Sequence, residues 1–250
     1  MRRWREATEQ ECDEIRHKDS IVAAYLTDEA LLFVSEGGHA IVYPEQPQRY
    51  EILLSGDSSC DVSRDIPELI EMSARKGCTV YWVGADDWIP GDLDQPWTFL
   101  TRWVWMSTTK VVDHRYRWPL VELDDARDGE EIQRFGMEHN PRFEGDAGQG
   151  RTRMWFGVRD EQSRLIGCGG VHSTNAGLGN LGGLVVHEQM RGQQIGTDLL
   201  VALTRWSIEM DKISTLSAFA DNERAIKLYE SMGYRLEHRF RFWELIPRRG

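Results

Sequence analysis

The chain has no apolar run long enough to cross a bilayer as a helix, which takes about 20 residues, and none follows the basic start Met1-Arg2-Arg3-Trp4-Arg5. A secretory signal and a membrane anchor are excluded as readings, and a cytoplasmic protein is the expectation. Cysteine is scarce: Cys12, Cys60, Cys78 and Cys168 are scattered, with no CxxC and no paired histidine spacing. Neither a disulfide framework nor a metal site is expected. Cys78 and Cys168 lie in apolar, strand-like runs and read as small buried hydrophobes. Basic charge is also short, with 30 Lys and Arg against 41 Asp and Glu and a net charge of −11 over 250 residues. Nucleic acid and anionic membrane both need a basic surface, so neither is expected as a partner. The excess acid suits a cationic amine, and it suits a well-solvated surface equally. Neither Gly-x-Gly-x-x-Gly nor a P-loop occurs at the glycine loop described next.

What is present is a strand, a tight loop and a helix between Leu184 and Met210. Leu184-Val185-Val186 is β-prone, and Leu199, Leu203, Trp206 and Met210 recur at i, i+4, i+7 and i+11, the spacing of one buried helix face. Between them runs Arg191-Gly192-Gln193-Gln194-Ile195-Gly196-Thr197. Gly192 and Gly196 let the backbone turn tightly, so that successive N–H groups at the helix start point into one concavity. Such a start favours an anion such as phosphate, to which Arg191 would add a charge-assisted contact. Asp198, in the first turn, satisfies the helix dipole. Further on, Asp221 or Asn222 caps a second helix, whose face is Ala225, Ile226, Tyr229 and Met232 and whose end is Gly233.

These two stretches resemble the paired signatures of the GNAT superfamily, the acyl-CoA-dependent N-acetyltransferases. The loop is similar to the family's pyrophosphate loop, Arg or Gln, two residues, Gly, one residue, Gly or Ala, except that Gln194 stands at the first of those glycines. The second run, Asn222 through Ala225 and Tyr229 to Gly233-Tyr234, carries every anchor of Asn-x-x-Ala-x-x-x-Tyr-x-x-x-Gly-Phe/Tyr. The resemblance spans about Pro119 to Leu245. It implies an α+β, GNAT-like fold with a mixed, mostly antiparallel central sheet flanked by helices, and acetyl-CoA as cosubstrate. The domains expected are a GNAT domain over 119–250 and a smaller α+β domain over 1–113.

By resemblance, Leu184, Val185 and Val186 would pair with the pantetheine and polarise the thioester carbonyl, while the residues from Arg191 to Thr197 hold the pyrophosphate. Asn222 would contact the cofactor or cap its helix. Tyr229 stands at the family's general-acid position and would protonate the departing sulfur; packing on the inner helix face is its other reading. A base is needed because an alkyl amine of pKa about 10.4 is almost wholly protonated at neutral pH. Many family members carry a Glu on this strand about ten residues before the loop, where this chain has Leu181-Gly182-Gly183. His172, His187, Glu188 and Glu144 are the alternatives. His172 comes first, because its type titrates near neutrality, against the plain reading of a structurally satisfied histidine. Glu138, Glu144 and Asp146 would attract a cationic substrate or simply be loop charges. The activity implied is acetyl transfer to a primary amine of a small or amino-acid-like molecule, with a non-catalytic acyl-CoA-binding module as the alternative and a homodimer left open.

In chain order, the N-terminal half reads helix, helix, the hairpin Leu31–Ser35 and His39–Tyr43 around Glu36-Gly37-Gly38, strand Tyr50–Ser55, a helix through Ile66, Leu69, Ile70 and Met72, strand Cys78–Val83 and strand Phe99–Met106. That is the GNAT element order without its first strand and last helix. It reads as a degenerate copy or as an unrelated α+β domain. The loop Gly56–Ser63 lacks the Arg-x-x-Gly pattern, so this half is not expected to hold CoA. Val111–Trp118 is the connection. Helix Asp128–Glu138, the irregular loop His139–Thr152, strands Met154–Arg159, Leu165–Val171 and Ile213–Phe219, and a closing strand Tyr234–Leu245 complete the reading.

Overall fold

The computed structural model describes residues 4–46, 49–56, 62–86 and 97–245. Cys60, the basic Met1–Arg3 and most of the loop expected over Gly56–Ser63 lie outside them. The chain forms two compact units. One comprises residues 1–105, 218–222 and 236–250; the other comprises 106–217 and 223–235.

The first unit opens with a two-residue strand, β1 (Arg5–Glu6), before helices α1 (Glu9–Lys18) and α2 (Ser20–Tyr25). The expected order without a first strand is corrected here, since two residues are too few to show a period of two. Thr8 and Glu11 close a capping box on α1, and Asp19 caps α2 by accepting from the Ile21 N–H at 3.0 Å. The sheet continues through β2 (Leu31–Ser35), β3 (Gly38–Gln46), β4 (Arg49–Gly56) and, after helix α3 (Val62–Arg75), β5 (Val80–Asp86). β1 to β4 pair antiparallel in sequence order and β4 pairs with β5 in parallel. β6 (Trp97–Thr108) and the C-terminal β12 (Arg235–Leu245) belong to the same sheet, with β12 antiparallel to β5. Trp4, Phe33, Val42, Ile52, Ile66, Leu69 and Val83 form the core, each fully buried aliphatic contributing about 1.5–3 kcal/mol.

The second unit runs β7 (Val121–Leu123), α4 (Asp125–His139), β8 (Thr152–Arg159), β9 (Leu165–Ser173), β10 (Gly179–Val186), α5 (Ile195–Asp211), β11 (Ser214–Phe219) and α6 (Glu223–Ser231). β7 to β10 are antiparallel neighbours, and β10 pairs with β11 in parallel. α4 starts three residues before the expected Asp128, because Asp124 caps it by accepting from the Arg127 N–H at 2.8 Å. α5 is buried over more than the expected stripe: Leu199, Leu200, Val201, Leu203, Thr204 and Ser207 are all inaccessible, whereas Met210, in its last turn, is 56% exposed. The expected burial of Met210 is thus corrected. Cys78 and Cys168 are buried free thiols.

Asp198 does more than satisfy the dipole of α5. Its side chain is wholly buried and accepts from His114 Nε2 at 2.6 Å and from the N–H groups of Arg117 and Trp118 at 2.9 Å each. The Trp118 indole donates to Gln193 O at 2.8 Å. The expected connection Val111–Trp118 is therefore fastened along the start of α5.

Candidate active site

β10 and β11 pair only at Asn180↔Thr215 and Leu181↔Leu216. Immediately afterwards β10 shifts register against β9 between Gly182 and Val185, and Gly183 takes φ +62°. A bulge of this kind bends its strand and ends pairing. Past Leu181 β10 no longer pairs with β11, which leaves a sheet edge along Leu184 to Val186 whose last carbonyl, Val186 O, accepts from Arg191 Nε at 3.2 Å. The Gly182-Gly183 pair inside an apolar strand is the sequence sign of that bulge, and the sequence reading passed over it.

At the end of β10 the chain makes one 3-10 turn, Glu188–Met190, then enters the glycine loop. Gly192 lies at φ +83°, and a Cβ there would meet nothing within 4 Å. Gln194 lies at φ +67° as the residue preceding α5 and makes no side-chain cap bond. In this left-handed conformation a residue with a Cβ is strained by about 1 kcal/mol relative to glycine. The first-turn N–H groups of Ile195, Gly196 and Thr197 have no intrahelical partner by helix geometry. Arg191 donates through Nε to Val186 O at 3.2 Å and through Nη2 to His139 O at 2.9 Å. Its guanidinium thus braces the end of β10 against the end of α4.

His172, at the end of β9, lies across Gly182. A Cβ on residue 182 would come within 2.9 Å of His172 Nε2, so the imidazole fills the space that a side chain at 182 would need. Nδ1 pairs with Thr152 Oγ1 at 3.0 Å, and Nε2 is buried without a hydrogen-bond partner. Burial pushes the imidazole pKa below its ordinary value, against the opposing fields of Asp146 and Asp125, so the ring is neutral at pH 7. The Trp155 ring stands edge-on at 5.5 Å and its indole donates to Asp125 Oδ1 at 2.8 Å. Asp125 also accepts from the N–H groups of Gly148 and Gly150 at 3.0 and 2.8 Å, which pins the loop carrying Glu144 to the start of α4. Thr152, Trp155 and Asp125 were not singled out by sequence, because nothing local marks a residue that orients another from a neighbouring strand.

The other candidates separate. Glu144 has its carboxyl pKa raised, by partial burial first and by Asp146 second. His187 accepts from the Gln189 N–H at 3.2 Å and packs on His139 at 4.4 Å, a local structural employment. Tyr229, on α6, has its phenol pushed up to about 12 by burial and therefore carries its proton throughout the neutral range. Its ring lies 6.2 Å from Tyr234, which is occupied by Thr204 and Ser214 at 2.7 Å each. Asn222 donates its N–H to Phe219 O at 3.0 Å one residue before α6.

The model of the acetyltransferase (GNAT) family matches residues 98–234. No curated protein matches the chain by sequence. Among solved structures, a GCN5-related N-acetyltransferase from Sphaerobacter thermophilus is similar at 14% identity with TM-score 0.55, over 98% of this chain and 96% of that one. A GNAT-family acetyltransferase from Colwellia psychrerythraea shares 14% identity at TM-score 0.54, over 97% and 99% of the two chains. A GCN5-related N-acetyltransferase from Kribbella flavida shares 10% at TM-score 0.52, over 95% of each. At such identities the likeness is one of fold, and it extends through the N-terminal half.

Proposed function

Starting from the membership of this chain in the acetyltransferase (GNAT) family, we propose that it transfers an acetyl group from acetyl-CoA directly to a primary amine of a small or amino-acid-like molecule. The observation that carries the reading is the pairing of β10 with β11 over two residues only, beside a bulge and directly before a glycine loop that opens a helix. The released edge at Leu184–Val186 suits the amides of the pantetheine arm as an added strand. The loop from Gly192 to Thr197 suits the pyrophosphate, with Arg191 holding that loop to the end of β10.

His172 Nε2 is the group we assign to the amine proton. It is a buried acceptor, neutral at pH 7 and already oriented through Nδ1 by Thr152. The ammonium first gives one proton to solvent, and the His172 lone pair takes the second as the neutral amine nitrogen bonds to the thioester carbon. The carbonyl is polarised by backbone N–H groups of the β10 edge, and the C–S bond breaks as the tetrahedral centre collapses. Tyr229 O–H then hands its proton to the departing sulfur, and the phenolate and the His172 imidazolium left behind return to their starting forms by proton exchange with solvent. Since a thiol of pKa about 8.5 is already a fair leaving group, the phenol assists rather than decides. Glu144 serves the cationic amine before it is deprotonated. Among the described residues no helix is long and apolar enough to cross a membrane.

Calorimetric titration with acetyl-CoA, with CoA and ATP as controls, tests the reading together with free-thiol release over a panel of amines. Binding with amine-dependent thiol release supports transfer. Binding without release across the panel favours an acyl-CoA-binding module, and no binding removes the proposal. Tyr229→Phe is expected to lower turnover about 10-fold with acetyl-CoA affinity unchanged; an unaltered rate across pH would assign Tyr229 to packing.

A further inference from the structure

The first unit holds a polar cluster that acetyl transfer leaves unused. Asp19, 7% exposed, receives His39 Nε2 on Oδ2 at 2.7 Å, and His238 Nε2 and the Ile21 N–H on Oδ1 at 3.0 Å each. His238 presents its other nitrogen, Nδ1, to Ser55 Oγ at 3.3 Å. Glu237, next along β12, receives the hydroxyl of Ser20, and that hydroxyl accepts from the buried Trp105 indole at 2.7 Å. One ligand atom each from Asp19, Glu237 and His238 lie mutually within 4.8 Å, the one such group among the described residues.

Two carboxylates and two imidazoles gathered around a mostly buried point are the donor types that a divalent transition-metal ion takes. The donors are one nitrogen and two oxygens, with a second imidazole on the far oxygen of Asp19. Tetrahedral zinc, with bonds of about 2.0–2.2 Å, sets its ligand atoms roughly 3.3–3.5 Å apart, inside the spread seen here. The supporting groups are already in place. Nε2 of His238 faces Asp19 Oδ1, so a metal ion would take the place of the proton the two share, with Nδ1 resting on Ser55 Oγ, while the Ile21 N–H and His39 hold the Asp19 carboxylate. Ser20, itself held by Trp105, holds Glu237. A metal site needs such an outer layer to orient its ligands.

We propose that Asp19, Glu237 and His238 bind a divalent transition-metal ion of the zinc type, with His39 orienting Asp19 from outside. The sequence spacing conceals this site because Asp19 and His238 are 219 residues apart. All of its residues lie in the first unit, so the proposal stands or falls separately from the acetyl-CoA reading.

The test uses the full chain with Cys12 replaced by Ser, to remove the partly accessible thiol, stripped with a chelator and titrated with zinc chloride by calorimetry. Cobalt chloride serves as the visible probe. One equivalent per chain is expected, with cobalt bands of a low-coordinate site. Glu237→Gln, which keeps the shape, should weaken zinc binding on the order of ten-fold or more, and His238→Gln should do so with altered cobalt bands. His17→Gln, on the exposed face of α1, should change nothing. No zinc binding by the stripped chain would overturn the proposal, as would undiminished affinity in a natively folded Glu237→Gln. If His238→Gln fails to fold, Glu237→Gln decides alone.

Discussion

Two strand pairs are parallel among the registers described, β4 with β5 and β10 with β11, and they differ in where they stop. β4 stays with β5 through five register pairs, from Tyr50↔Val80 to Leu54↔Ala85, across one register shift after Tyr50. β10 leaves β11 after two. The residues supply the cause. Ile52, Leu53 and Leu54 are an unbroken aliphatic run buried on both faces, which rewards continued pairing, whereas Gly182-Gly183 offers little side chain to pack and a bulge turns the strand away. The difference is one of withheld pairing: in β4 the ladder groups are spent on β5, and past Leu181 β10 keeps an edge that the proposed function would use for an extended ligand.

The comparison breaks first at stoichiometry. One acetyl-CoA per chain is expected by calorimetry, and Gly196→Glu should reduce its affinity on the order of 100-fold or more, by setting a carboxylate beside the first-turn N–H groups of α5. A second equivalent, or affinity retained in the variant, would place binding elsewhere. The closed pair has its own signature in Glu51 of β4, which is buried beside Tyr43 and has its carboxyl pushed up to about 8, by burial first and by Glu45 second. The folded state therefore binds a proton that the unfolded state gives up near pH 4.5, so stability falls as pH rises between about 4.5 and 8. Glu51→Gln should flatten that slope and stabilise the protein at pH 8 by ~3 kcal/mol, as read by denaturant unfolding at several pH values.

His172→Gln sharpens the open side. It should lower kcat about 100-fold with KM for acetyl-CoA little changed. It should also abolish the acid limb of the rate profile, which in the parent falls as pH drops through the lowered imidazole pKa. A variant that keeps that limb would acquit His172. The smallest effect belongs to Gln194→Gly, which relieves the left-handed strain and should stabilise the fold by ~1 kcal/mol without weakening acetyl-CoA; a loss of stability would mean that the Gln194 side chain contributes something the backbone argument omits.

Much of this was legible in the residues. The loop and the α6 run carried their chemistry on fixed local spacings, and periodicity placed most elements within a few residues. Other features escaped for physical reasons. β1 is held only by its partner β2, so no pattern of its own announces it. The His172 site depends on Gly182 making room from the next strand, and a sequence shows an absent side chain without showing who fills the space. Asp198 looks like any first-turn acid, because its donors His114, Arg117 and Trp118 lie 80 or more residues away.

That last carboxylate decides where the chain can be cut. A fragment begun at Pro119, where the resemblance to the family begins, would keep Asp198 in its dry position and discard all three of its donors. Leaving a buried charge so exposed to its own desolvation costs about 3–5 kcal/mol, much of the stability of a small domain. An excised second unit has to start upstream of His114 for α5 and its glycine loop to arrive folded.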